Sequence, residues 1–197
     1  MQSYGVNFTE TWAPRSVRLV ISIAAMRQDR IRHIDIKSAY LNAKLSETVH
    51  VQPPAGYAKE EVWLLLKALY GLKQAGREWY KMLKAMLNRL GWAATVSDPC
   101  VYYRRVNNAA VAHSYQLMVV HVDDLIVTYS DQSQIDSLIE GLSQEVKLAD
   151  LGDLKHALGL DFITKDNKIV ISQRTYVLDV LKHFGFHKCH PCPTPVH

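Results

Sequence analysis

The stretch Val119-Val120-His121-Val122-Asp123-Asp124-Leu125-Ile126-Val127 sets two acidic side chains between two strongly β-forming apolar runs. Without Asp123 and Asp124 it would read as one buried strand. Adjacent carboxylates repel each other and resist desolvation, so folding gains nothing obvious from putting them there. A hairpin whose tip carries Asp123-Asp124 resolves the conflict: both acids sit at the sheet edge and the flanking residues stay buried. The plain alternative is an Asp-rich turn with no further role, which the tight apolar flanks on both sides disfavour.

A third acid, Asp35, lies in His33-Ile34-Asp35-Ile36-Lys37-Ser38-Ala39-Tyr40-Leu41-Asn42. His33, Asp35 and Lys37 alternate against Ile34 and Ile36, the period of a strand, and Asp35 falls near its end. Three carboxylates from two neighbouring strands form a hard, oxygen-rich cluster that suits Mg²⁺. Two such ions about 3.5–4 Å apart can activate an attacking hydroxyl and stabilise a leaving oxygen.

The rest of the chain alternates helix and strand signals. Ser16–Gln28 reads as a helix with Val17, Val20, Ile21 and Ala24 on one face. Ile31–Lys37, Val49–Gln52 and Val62–Lys67 read as strands. Gln74–Leu90 reads as a helix, with Trp79, Leu83, Met86, Leu87 and Leu90 at helical spacing and Gly91 as its stop. Cys100–Val106 and Tyr115–Val122 read as paired strands around the polar Asn107-Asn108 loop, followed by strand Leu125–Tyr129. Ser133–Val146 is helical and Ile169–Ser172 strand-like. Arg174–Phe184 is a helix expected to bury Tyr176, Val177, Val180, Leu181 and Phe184, and the proline-rich Cys189–Pro195 is irregular. Several links are hairpin-short, which predicts an α+β fold: an antiparallel or mixed sheet with helices on one face, most naturally a split βαβ, ferredoxin-like arrangement.

Composition excludes several classes. With 48% hydrophobic and 21% charged residues the chain is a globular sequence, and no apolar run reaches the ~18 residues of a membrane span. No basic segment followed by an apolar one opens the chain, so no signal peptide is expected. Three cysteines, Cys100, Cys189 and Cys192, do not describe a disulfide framework and point to a reducing, intracellular setting. The net charge of +4 is a mild bias toward polyanions. It is unevenly spread: Lys73–Arg105 is basic and Asp131–Asp153 acidic. Cys189-His190-Pro191-Cys192 lacks the second ligand pair that a zinc site needs. Trp12, Trp63, Trp79 and Trp92 read as packing residues rather than base-stacking platforms, and Cys100 as a buried thiol.

Ordered motifs run almost from end to end: Tyr4-Gly5-Val6-Asn7-Phe8-Thr9-Glu10-Thr11-Trp12-Ala13-Pro14, then Asp35 to Asn42, Gln52-Pro53-Pro54-Ala55-Gly56-Tyr57, and Leu69-Tyr70-Gly71-Leu72-Lys73-Gln74-Ala75-Gly76-Arg77-Glu78-Trp79-Tyr80. Val122-Asp123-Asp124, Asp150-Leu151-Gly152-Asp153-Leu154-Lys155, Leu158-Gly159 and Pro193-Thr194-Pro195 complete them. In these the chain resembles the reverse transcriptase domain of copia-type retrotransposon Pol polyproteins.

The resemblance implies a right-hand polymerase palm with partial fingers and little or no thumb, acting as an RNA-directed DNA polymerase. In a single domain over 1–197, residues 1–30 and 44–75 correspond to fingers and palm edge, 31–43 and 76–163 to the palm core, and 164–197 to the connection toward a thumb. Asp35 and Asp123 are implied to bind two Mg²⁺ ions (or Mn²⁺), with Asp124 less direct and the Ile36 carbonyl completing a metal shell. Tyr40 is implied to exclude a 2′-hydroxyl, Lys73, Gln74 and Arg77 to contact the nucleotide, and His121, Leu158 and Gly159 the primer. Lys147 or Lys155 is implied to protonate pyrophosphate. Implied partners are an RNA or DNA template-primer, dNTPs, and the integrase and ribonuclease H parts of a polyprotein. The implied location is a cytoplasmic virus-like particle, or the nucleus, with no membrane. The chain departs from the family in His121 for Tyr, Gly76 for Pro, Ala43 for Gly and Ala157 for Phe. A basic fingers segment ahead of Tyr4 and most of a thumb are also missing, so an excised core or truncated copy is expected. The competing expectations are a catalytically weak or inactive nucleic-acid-binding remnant, and an interaction protein that reuses the fold.

Overall fold

Period-two alternation of β-branched residues builds the central sheet. The computed structural model describes residues 14–57, 61–106, 115–165 and 168–190, in two compact units, residues 1–153 and 154–197. In the first, helix α1 (Pro14–Arg27) leads to strand β1 (Arg30–Ile36), helix α2 (Ala39–Asn42), and strands β2 (Lys44–Val51) and β3 (Trp63–Lys67). Then come helix α3 (Ala75–Arg89), β4 (Ala93–Ala94), β5 (Val101–Arg105), β6 (Tyr115–His121), β7 (Asp124–Tyr129), α4 (Gln132–Ser143) and β8 (Leu148–Asp153). The second unit holds β9 (His156–Ala157), β10 (Leu160–Lys165), β11 (Lys168–Ser172) and α5 (Arg174–His183). Among the described residues no helix is long and apolar enough to cross a membrane.

Six strands form one sheet in the order β4-β5-β6-β7-β1-β8, antiparallel throughout. The expected α+β class with an antiparallel sheet is therefore present. On one face Ile34, Ile36, Met118, Val120, Leu125, Val127 and Tyr129 share a core with Trp79, Leu83, Met86 and Leu87 of α3 and Ile135, Leu138 and Leu142 of α4. Each large side chain buried there contributes about 1.5–3 kcal/mol. The alternate positions Ile31, Val119 and Ile126 are buried too, as are Val17, Val20, Ile21 and Ala24 of α1, which packs on β1 and β6. Helices thus cover both faces rather than the one expected, because these strands carry apolar residues at both parities. Toward one end the α1 face carries His33, Asp35, His121 and Asp124.

Other departures have local causes. β8 and β10 were not expected as strands. Leu148–Asp153 has weak strand propensity and is held by pairing with β1 and by ion pairs from Arg30 and Arg32. The apolar face of α5 is not buried: Tyr176, Val177 and Phe184 are 56%, 50% and 67% exposed, since a unit this small covers little surface. Trp79, Trp92 and Cys100 are buried as expected, while Trp63 is at the surface. The Tyr4–Ala13 motif with Trp12, the Asn107-Asn108 loop, and Cys192 with Pro193-Thr194-Pro195 lie outside the described residues.

Candidate active site

The acidic hairpin closes at the His121–Asp124 pair, so its two-residue tip is Val122-Asp123, one residue earlier than expected. Asp124 opens β7, where it pairs with Asp35 of β1 on its other side. Of the two tip residues only Val122 has a positive φ, 53°, the φ pattern of a type II′ turn, which normally places glycine there. A β-branched residue in this region stores about 1–3 kcal/mol of strain. Two donors hold the tip. The Trp79 indole Nε1 of α3 donates to the Val122 carbonyl at 2.6 Å, and the Ile36 backbone N–H donates to the Asp123 carbonyl at 2.8 Å.

Residues directly opposite in register share a face, so Asp35 and Asp124 project to the same side of the sheet, beside the tip that carries Asp123. Burial, then Asp124 and Asp35, push the Asp123 carboxyl above the ordinary range, against the opposing effects of its own backbone N–H and of His121. The His121 imidazole is pushed down by burial, with Asp124 and Asp123 opposing. Two side chains answer the acids: Lys37 Nζ donates to Asp35 Oδ2, and His33 Nε2 lies 2.6 Å from Asp124 Oδ1. Burial first, and then Asp123, push up the hydroxyls of Tyr40 and Tyr70. Their rings meet at 4.5 Å and 44° beside the cluster.

Among the described residues no three His, Cys, Asp or Glu side chains stand close enough to hold a metal ion. The register nevertheless gathers the three aspartates, and the carboxylates of Asp35 and Asp124 are engaged by Lys37 and His33. The donor set fits a hard divalent cation, whose charge would relieve the mutual repulsion that raises Asp123.

The remaining expected residues lie on other elements. Gln74 immediately precedes α3 and makes no capping bond. Lys73 is exposed. Arg77 Nε donates to the buried Glu78 at 3.1 Å. Leu158 and Gly159, with φ of 57° and 72°, form the β9–β10 turn of the second unit. Lys147 and Lys155 are exposed. Sequence reasoning missed His33, Lys37, Tyr70 and Trp79. The first two flank Asp35 at two-residue spacing and so share its strand face, a legible signal. Tyr70 and Trp79 act through tertiary contacts that no spacing reveals.

The reverse transcriptase (RNA-dependent DNA polymerase) family profile matches residues 1–197. The chain is 31% identical over 205 residues to the retrovirus-related Pol polyprotein from transposon TNT 1-94 of Nicotiana tabacum, covering 99% of this chain and 15% of that protein. It is 32% identical over 203 residues to the Pol polyprotein from transposon RE1 of Arabidopsis thaliana, covering 99% of this chain and 14% of that one. The chain therefore spans about a seventh of the length of the curated relatives it matches. A profile match over every residue, beside a hairpin that displays paired aspartates against a third, places the chain in the reverse transcriptase family of copia-type retrotransposon Pol polyproteins.

Proposed function

We propose that this chain is the polymerising core of a copia-type Pol polyprotein and adds nucleotides from dNTPs to a primer 3′-hydroxyl on an RNA or DNA template. The observation that carries this reading is the register that sets Asp35 against Asp124 with Asp123 at the adjoining tip. Residues 31–43 and 76–163 then form the palm core.

Asp35 and Asp123 are the residues to hold two Mg²⁺ or Mn²⁺ ions, with the Ile36 carbonyl beside them and Asp124 adding to the negative field. Bound there, the ions supply Lewis acidity to the attacking and leaving oxygens. The chain's own groups do the rest. Tyr40 lies under the sugar and rejects a 2′-hydroxyl, Gln74 packs on the incoming base, and Lys73 and Arg77 bind phosphates. His121, Leu158 and Gly159 position the primer terminus. Lys147 or Lys155 delivers a proton to the departing pyrophosphate. Within a full polyprotein, integrase and ribonuclease H would accompany this core in a cytoplasmic particle.

Extension of a DNA primer on an RNA template in Mg²⁺, abolished by chelator and restored by Mn²⁺, is the expected result. Salt-sensitive binding of template-primer without extension would instead mark a binding remnant.

A further inference from the structure

We propose that Trp79 is a positioning residue for the acidic turn: its indole N–H clamps the Val122 carbonyl and thereby fixes the peptide unit from which Asp123 is displayed. The proposal rests on the reading of that turn as the polymerase site.

Trp79 sits on the core face of α3, 2% exposed, in the cluster that includes Leu83, Met86 and Leu87. As a core filler alone it would need only an apolar ring. Instead its single donor is aimed at a backbone carbonyl across the sheet at 2.6 Å. That carbonyl belongs to Val122, whose φ of 53° is the strained position of the hairpin. The peptide linking Val122 to Asp123 has two ends. Its oxygen is held by Trp79, and its N–H is the amide of Asp123 itself. Rotation of this peptide changes ψ of Val122 and φ of Asp123 together, and a valine at positive φ leaves the turn dependent on an outside hold. The next carbonyl, of Asp123, is already fixed by the Ile36 N–H at 2.8 Å. The 122–123 peptide, in turn, is held at its oxygen by the indole.

The test replaces Trp79 with 3-benzothienylalanine, which keeps the bicyclic shape and exchanges the N–H for sulfur, alongside Trp79→Phe. Three readings separate a clamp from a filler. Amide hydrogen exchange at residues 121–124 is expected to rise with the ring analogue while the thermal midpoint moves by only a few degrees. Mn²⁺ binding without nucleic acid, followed by electron paramagnetic resonance, should weaken about three- to tenfold, the size of one neutral hydrogen bond. In primer extension kcat should fall by a similar factor with KM for dNTP nearly unchanged. Val122→Gly, which takes positive φ without strain, should restore most of the loss in the ring-analogue background. Unchanged exchange at 121–124 with the analogue overturns the proposal, as does a loss of Mn²⁺ affinity that Val122→Gly leaves in place. If the unaltered chain neither binds Mn²⁺ nor extends primers, the polymerase reading fails, and the exchange measurement alone still decides whether Trp79 holds the turn.

Discussion

Strand β1 meets two groups of aspartates, and they differ in kind. Toward its start Arg32 grips Asp150 through both oxygens, at 2.7 and 2.6 Å, and Arg30 reaches Asp153 at 3.0 Å, which also accepts from the Tyr129 hydroxyl at 3.0 Å. The Arg32 hydrogen bond holds Asp150 below the ordinary carboxylate range, outweighing burial. For Asp153 burial works upward, and the bonds from Arg30 and Tyr129 overcome it. Toward the other end of β1, Asp35, Asp124 and Asp123 meet one another, and Asp123 is pushed up by burial and by its two neighbours. Acids that hold strands together come with arginines in fork geometry. A buried acid on a strained turn whose neighbours raise its proton affinity is a cost to folding, and such groups concentrate where chemistry is done.

The largest effect should follow from Asp123→Asn. If Asp123 holds both ions, extension falls by at least about a thousandfold, several kcal/mol of charge stabilisation. Stability should move the other way. A carboxyl whose folded pKa is raised stabilises fully only in acid, below its unfolded value, and that contribution is lost as pH rises through the folded value. At neutral pH the ionised Asp123 is therefore unfavourable, and the asparagine protein should melt a few degrees higher, the gain vanishing in acid. A variant that melts lower at neutral pH would put Asp123 in the same class as Asp150.

Arg32→Met probes the structural end and should be the next largest. Its pair with Asp150 is only 18% and 30% exposed, between a surface pair and a buried one, so a loss of about 1–2 kcal/mol at neutral pH is expected. Asp150 has a depressed pKa, so the stabilisation is present above the ordinary carboxylate range and disappears as pH falls through the lowered value. Urea unfolding of the two proteins should therefore converge in acid, and Mn²⁺ affinity should be unaltered. A gap that persists at low pH would mean that lost packing of the arginine stem, not the ion pair, carries the effect.

This contrast also marks what spacing alone can reveal. The Asp123-Asp124 pair between apolar runs and the alternation around Asp35 were legible, because a carboxylate inside a β-forming segment violates the pattern around it. That Asp35 stands opposite Asp124 was not, since the β1–β7 pairing joins segments about ninety residues apart and no local rule sets it. The β8 strand was hidden for a related reason: Leu148–Asp153 becomes a strand only once Arg30 and Arg32 are beside it. The exposed face of α5 shows the reverse error, a helical stripe that reads as buried in a unit with too little else to cover it. The tip itself was misplaced by one residue because valine is a poor guess for a position that favours glycine.

Lys37→Met should have the smallest effect and is the sharpest check on the comparison. Lys37 lies five residues after Arg32 on the same stretch of chain and also donates to an aspartate, but its side chain is 57% exposed. It donates through one mobile ammonium rather than a planar fork. Solvent screening and the entropy of holding the chain in place leave such a pair worth about 0.5 kcal/mol or less. Thermal and urea midpoints should hardly move. Because Lys37 engages an oxygen that a cation would use, its loss should tighten Mn²⁺ binding by up to about twofold, the conversion of that energy. The two substitutions then have opposite profiles: Arg32→Met lowers stability without touching the ion, and Lys37→Met affects the ion without touching stability. A stability loss for Lys37→Met as large as that for Arg32→Met, with Mn²⁺ binding unchanged, would mean that Asp35 is another structural acid and that the two ends of β1 do not differ after all.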